Sequence, residues 1–361
     1  MAKERLLSLD VFRGATIALM ILVNDPGSWS HVYGPLLHAD WHGLTPTDLV
    51  FPFFVFIMGV AISLPSPKTG EHRSQLLKKS IKRTFILFGI GLFLNAFPYF
   101  EIANLRIPGV LQRIALVFIA CFVLYHYLSI KRIYQVGIGL LVIYWVLMMF
   151  IPVPGYGPAN LDPDSNMGAW LDQVLMTGHM YKEFRDPEGL LSTLPSIVTG
   201  LMGILMGRYL FTSEDKNAAL VKIFVVAGVV VLVSLIWDMH FPINKKIWTS
   251  SYVLMTGGLG IYCFAALYWL LDVQKIQGSW VFPFRVFGLN AITVYGLSSI
   301  LINTMDLVPI GGVSMREYIF ALFASGLNDP KLASLLFALM FTGICYIPIW
   351  VMYKKGVFLK V

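Results

Sequence analysis

Apolar runs close to 20 residues long recur along almost the whole of this 361-residue chain, and that is about the length of a helix that crosses a bilayer. In lipid every backbone polar group must find its partner within the segment, so such runs fold as helices. Roughly ten can be marked on that rule, at 11–27, 47–65, 83–99, 109–128, 134–151, 191–211, 221–240, 250–271, 284–304 and 332–353. Charged residues make up 13% of the chain, about half of what a soluble domain carries. The expected fold is an all-α polytopic membrane bundle of about ten transmembrane helices, forming a single domain over 1–361. No small-residue cleavage site follows the first run, so it reads as a span and not a signal peptide. Cys121, Cys263 and Cys345 lie inside apolar runs. They read as small core residues, with neither a disulfide framework nor a metal cluster expected.

Most of the 27 Lys and Arg fall on the side of the bundle that holds the N-terminus, including Arg13, Lys78, Lys79, Lys82, Arg83, Lys354, Lys355 and Lys360. The other side holds Arg106, Arg113, Lys182, Arg185, Lys245, Lys246, Arg316 and Lys331. The positive-inside bias therefore puts both termini in the cytoplasm. The net charge of +7 is a topology signal; nucleic-acid binding is excluded as an explanation because no soluble basic domain exists to do it. The outer side receives Asn24 to Asp48 and a long connection, 152–190, which is long enough to cover the mouth of a site.

One polar stretch interrupts the apolar pattern between the first two runs, LVNDPGSW (22–29) and HADWHGLTPTDLVFPFFVFIMG (38–59). Ionisable groups at membrane depth are costly and usually face a cavity or a partner. His38 has the chemistry of a general base or nucleophile near neutral pH; an interfacial His that caps a helix is the other reading. The Asn24 amide can polarise a carbonyl, although Asn-Asp-Pro-Gly is also ordinary turn chemistry, which the residues alone favour. Asp48 near the start of the second span suits the helix dipole and is equally placed to orient a His.

Outside that stretch, Asp10 and Arg13 in SLDVFRG (8–14) are spaced to pair on one helical face, and Arg13 can also meet a phosphate. The run of basic residues from Arg73 to Arg83 reads as positive-inside charge against lipid headgroups. Asp186 and Glu188, and Asn244 and Lys245, cluster at two other outer helix ends. Asn290 reads as interhelical glue. No phosphate-cradling Gly loop, zinc-type His pair or Gly-x-Ser-x-Gly elbow occurs.

Several ordered blocks together resemble the transmembrane acyltransferase family that includes lysosomal heparan-α-glucosaminide N-acetyltransferase and its bacterial relatives. They are SLDVFRG (8–14), the VN of LVND, HADWHGLTPTDLVFPFFVFIMG (38–59), RIPGVLQRIA (106–115), DPEGLLSTLPSIVTGLMGILMG (186–207), FPINKKIWTSSYVL (241–254), FGLNAITVYG (287–296) and YKKGVFLKV (353–361). The resemblance implies a helical bundle that takes acetyl-CoA from the cytosol and delivers the acetyl group to an amino sugar at the opposite face. The family's active-site His falls on His38 and its companion Asn on Asn24, with Asp48 expected beside them. Arg13, Lys354, Lys355 and Lys360 are expected to grip the CoA phosphates. Asp40, Asp48, Asp186 and Glu188 are expected to attract a cationic amino sugar, with Asn244 on the same acceptor side. No metal is expected, and a homodimer is left open. Asp40 and His42 stand where Ser and Asn are expected in the lysosomal enzyme, and its large N-terminal lumenal domain has no counterpart. Those departures point to a smaller sugar and to a bacterial inner membrane. A sugar transporter with no covalent chemistry, or an O-acetyltransferase of envelope polysaccharide, would also suit the polar groups.

Overall fold

The computed structural model describes residues 6–64 and 73–359; Lys3, Arg5, Lys68 and Lys360 lie outside the described residues. Thirteen α-helices account for most of the described residues: α1 (Leu7–Asn24), α2 (Val50–Ser63), α3 (Arg73–Ala96), α4 (Val110–Tyr127), α5 (Ile130–Met149), α6 (Met167–Met176), α7 (Thr193–Thr212), α8 (Lys216–Asp238), α9 (Ser250–Tyr268), α10 (Val281–Leu289), α11 (Ala291–Leu307), α12 (Met315–Gly326) and α13 (Pro330–Lys354). A single two-residue hairpin, Pro309–Ile310 with Val313–Ser314, is the sheet content among the described residues. Side-chain caps mark the helix starts: Ser129 accepts from Arg132 N, and Asp329 accepts from Lys331 N at 2.8 Å just ahead of Pro330. Such caps satisfy amides that the first helical turn leaves without a partner.

Among the described residues, eight segments are long and apolar enough to cross a membrane, and the bent pair α10–α11 makes a ninth. The expected span at 83–99 overlaps α3, which begins ten residues earlier, ends at Ala96 and carries the basic cluster in its first half, and α3 is not among the eight segments apolar enough to count as spans. The first span starts at Leu7 instead of Val11 and ends at Asn24. The expected single helix over 284–304 is broken, with an 83° bend between α10 and α11. Asn290 sits at the break, and its Nδ2 donates to Val286 O, a carbonyl left over where the helix stops. Side-chain competition for backbone groups ends helices in this way, so Asn290 is a breaker of its own helix and not the interhelical glue expected. The 152–190 connection is not plain loop, because α6 lies within it. Cys121 and Cys345 are buried as expected, whereas Cys263 is exposed on α9.

Glycines set the closest helix crossings. A Cβ on Gly14 would run into the Phe284 carbonyl, and one on Gly288 into the Asp10 carbonyl, so α1 and α10 meet backbone to backbone. Gly59 stands in the same relation to the Gly200 carbonyl, locking α2 onto α7. Membrane helices lack a hydrophobic driving force for association, so close approach through small residues takes its place. Phe56, Val60, Leu210, Phe264 and Ala265 fill the centre between α2, α7 and α9. The ends of α1 and α3 and the starts of α2, α4, α7 and α9 then gather at one end of the bundle.

Candidate active site

The polar stretch after α1 folds back over the start of α2. Thr45 and Asp48 form a capping box around a short 3-10 turn, Pro46–Leu49, that leads into α2. Asp48 Oδ2 accepts from Thr45 N (3.0 Å), Thr45 Oγ1 (3.0 Å) and Ala39 N (3.1 Å). Its other oxygen, Oδ1, lies 2.7 Å from His38 Nδ1. The acid thus does both things the sequence allowed, fixing the turn with one oxygen and holding the imidazole with the other. The Asp48 side chain is 1% exposed and that of His38 is 37% exposed, so the carboxylate is sealed behind the ring and the ring opens outward. With Nδ1–H assigned to Asp48, Nε2 is left as an acceptor.

A second loop, 241–249, is pinned against the first. Asn244 is fully buried, and its Oδ1 accepts from Lys246 N (2.8 Å) and Ile247 N (3.2 Å). This Asx-type turn is the kind that Asn makes with its own backbone. Gly43 N donates to Ile243 O at 2.8 Å, and the Lys246 ammonium donates to the Asp40 carbonyl. Trp248 adopts a left-handed backbone, φ 51°, which costs on the order of 1–2 kcal/mol for a bulky residue. Its ring is buried edge-on to Phe51 and Tyr252, with the Arg113 guanidinium over it at 5.2 Å, and that packing holds the conformation. The turn sets Lys245 Nζ at 3.0 Å from His38 Nδ1, 3.2 Å from His38 Nε2 and 3.7 Å from Asp48 Oδ1. Burial pushes the Lys245 ammonium below the usual lysine range, with Asp48 and Glu188 pulling the other way.

His38, Lys245 and Asn24 line one cavity of about 340 Å³. Its walls come from the end of α1 (Met20, Val23), the start of α2 (Val50, Phe51, Phe54), Arg106 and Val110 ahead of and in α4, Tyr181 and Glu188 ahead of α7, and Tyr295 of α11. Apolar walls with a few converging polar groups are the usual make-up of a small-molecule site. Arg106 grips Asp186 through Nε (2.8 Å) and Nη2 (2.7 Å) and also donates to Glu188, with the Tyr181 ring 4.9 Å from its guanidinium carbon. Burial lowers the pKa of Arg106, but the Asp186 hydrogen bond and the Glu188 charge outweigh it, so its net shift is upward.

The remaining sequence candidates are spread out. Asp186 is buried behind Arg106 and also accepts from Tyr181 N and Glu188 N, while Glu188 reaches the cavity wall. Asp40 is exposed beside the mouth, and Asn244 shapes the Lys245 turn. Arg13 lies near the opposite end of α1, where it donates to Asp10 (3.4 Å) and Gly288 O (3.3 Å). Lys354 and Lys355 end α13, and Lys360 lies outside the described residues. Arg106, Tyr181 and Tyr295 were not singled out from sequence as site residues, and Lys245 was noted only as part of an outer cluster with Asn244, without a role. A signal for the two cations was present: both sit on the side that the positive-inside rule leaves poor in Lys and Arg.

These features define a polytopic helical membrane protein with a carboxylate-oriented imidazole opening into a polar-floored cavity at one end of the bundle. The chain matches the family described as heparan-alpha-glucosaminide N-acetyltransferase, catalytic, over residues 5–242, and it belongs to that family. It is similar to the heparan-alpha-glucosaminide N-acetyltransferase of Mus musculus, 31% identical over 83% of this chain and 54% of that protein. The Homo sapiens protein of the same name is 30% identical over 81% of this chain and 52% of its own length. The chain thus spans about half the length of these relatives. The matched region contains Asn24, His38, Asp48, Arg106 and Glu188 and ends before Lys245.

Proposed function

We propose that this chain is a membrane N-acetyltransferase, one transmembrane acyltransferase domain that moves the acetyl group of acetyl-CoA onto an amino sugar, with His38 as the general base. The observation that carries this reading is that His38, oriented by Asp48, and Asn24 line the same cavity. Membership of a family named for N-acetyl transfer to a glucosaminide supports the reaction class.

In the direct route the sugar amine attacks the thioester carbonyl carbon and a C–N bond forms. His38 Nε2 takes the amine proton as it does so, and the Asn24 amide donates to the oxyanion. The tetrahedral intermediate collapses, the C–S bond breaks, and the imidazolium returns the proton to the departing thiolate. The products are the N-acetyl sugar and CoA-SH. Asp48 keeps the ring in the tautomer that can accept, the role a buried carboxylate plays behind a catalytic His.

Coenzyme A is polyanionic, so its phosphates need cations at a membrane surface while its pantetheine arm reaches inward. Arg13 lies eleven residues before Asn24 on α1, about 16 Å along the axis. With Lys354 and Lys355 it forms the candidate phosphate grip at the N-terminal end of the bundle. The positive-inside bias makes that end cytoplasmic. The acceptor then meets the cavity from the periplasm of a bacterial inner membrane, with Asp40 and Glu188 at its edge.

Purified protein given acetyl-CoA and glucosamine is expected to release CoA thiol and form N-acetylglucosamine, and CoA is expected to raise its melting temperature. Thiol release with the N-blocked sugar instead would mean O-transfer. A protein that neither turns over nor is stabilised by CoA contradicts the proposal.

A further inference from the structure

The arrangement around His38 contains one group that the reaction above does not use. Lys245 is on the third face of the imidazole, and its distances to the two ring nitrogens are nearly equal, 3.0 and 3.2 Å. A donor in line with one ring nitrogen would stand much farther from the other. The ammonium therefore lies over the face of the ring, a contact between a charge and the whole imidazole and not a hydrogen bond to one lone pair. Nδ1 is in any case already taken by Asp48 at 2.7 Å.

We propose that Lys245 is a positioning residue for His38, a fixed positive charge that lets Asp48 orient the imidazole without loading it with a proton. This rests on the reading of His38 as the base. A buried carboxylate beside an imidazole favours the imidazolium, which cannot accept the amine proton. A cation in contact with the ring and 3.7 Å from Asp48 Oδ1 opposes that protonation, both by repelling the imidazolium and by offsetting the carboxylate, and leaves the orientation intact. The opposition holds only if Lys245 cannot swing away. Asn244 locks its turn from below, Gly43 N ties the turn to the 38–48 loop, and the Lys245 side chain is only 19% exposed.

The other charged groups around the pair are Glu188, Asp186 and Arg106 across the cavity, where the one guanidinium is shared by the two carboxylates, and Lys246 and Asp40 at the mouth, where the ammonium donates to the Asp40 carbonyl. His42 is turned onto the Asn244 amide at 3.3 Å. Tyr252 donates to the Asp48 carbonyl at 2.6 Å and does not face the ring. Lys245 is thus the cation in contact with the imidazole among the described residues.

The test is the pH profile of acetyl transfer by Lys245→Met and Lys245→Arg in the full-length protein, with His38→Ala alongside. Removing the charge leaves Asp48 unopposed, so the acidic limb of the Lys245→Met profile is expected to move to higher pH by roughly one unit. The rate is expected to recover to within a few-fold of the parent on the alkaline plateau. Lys245→Arg keeps the charge and is expected to keep the parental limb. A Lys245→Met profile that is lowered equally at every pH, or a limb that does not move, overturns the proposal and reduces Lys245 to a substrate contact or a loop staple. Should Lys245→Met fail to fold, a displaced limb in Lys245→Arg overturns it and a parental limb supports it. Undiminished transfer by His38→Ala would instead remove the base itself, a failure of the functional reading and separable from the failure of this one.

Discussion

Asp25 and Asp48 are two buried acids of one polar stretch, and their surroundings give them opposite characters. Asp48 is met by four donors, from His38, Ala39 N and Thr45 N and Oγ1. Asp25 ends α1 near the Arg316–Asp306 pair, and burial pushes its carboxyl from the ordinary 3.8 up to about 8, against the pull of Arg316 and with the push of Asp306. A raised carboxyl stabilises the fold fully below its unfolded pKa, and that contribution fades as pH climbs through the folded value. Asp25→Asn is therefore expected to gain on the parent between pH 5 and 8, by about 3 °C in melting temperature or more, and to hold that lead at higher pH. Detergent melting curves at a series of pH values measure it; equal gaps at pH 5 and 8 would show that the Asp25 carboxyl is not raised.

At the same scale, His38, Asn24 and Asp48 were legible in the sequence because polar residues stand out against apolar runs and because ordered family blocks pin them. Lys245 and Arg106 were harder to find. Each is an outer-side cation whose meaning depends on which loop it meets, and Lys245 comes 207 residues after His38. The roles of Asp186 and Asn244 were also closed to sequence. Asp186 lies behind Arg106 and Asn244 beneath a turn, and no spacing rule foretells either.

Among the elements, the helix-to-helix contacts rest on glycine. Replacing Gly59 by Val would push a branched side chain into the Gly200 carbonyl. Rigid overpacking of that kind costs about 1–3 kcal/mol. Gly59→Val is expected to lower melting temperature and yield together, whereas Gly139→Ala on α5, where a Cβ meets nothing within 4 Å, is expected to be neutral or mildly stabilising. Matching melting temperatures for the two variants would contradict the crossing. Hydropathy located eight of the ten expected spans to within about five residues; the basic first half of α3 keeps the one at 83–99 from counting as a span, and the one at 284–304 is bent. The α10–α11 break was hidden because one Asn in an apolar run carries no periodic signal. The α6 helix was hidden by its ten-residue length, too short to register as a span.

At the scale of the molecule, the bundle has two chemically different ends. Arg13, Lys354 and Lys355 lie at one, and the cavity with His38, Asn24 and Lys245 lies at the other. On the proposed function, a donor too charged to cross a bilayer and an acceptor on the far side would meet in such a protein only if the acyl group is handed over inside it. Vesicles test this directly, with acetyl-CoA trapped in the lumen and glucosamine supplied outside. N-acetylglucosamine is predicted to accumulate outside from the parental protein, and at least ~100-fold more slowly from a folded, CoA-binding His38→Ala. Product formed by His38→Ala at the parental rate, or none formed across the membrane by the parent, would contradict the account.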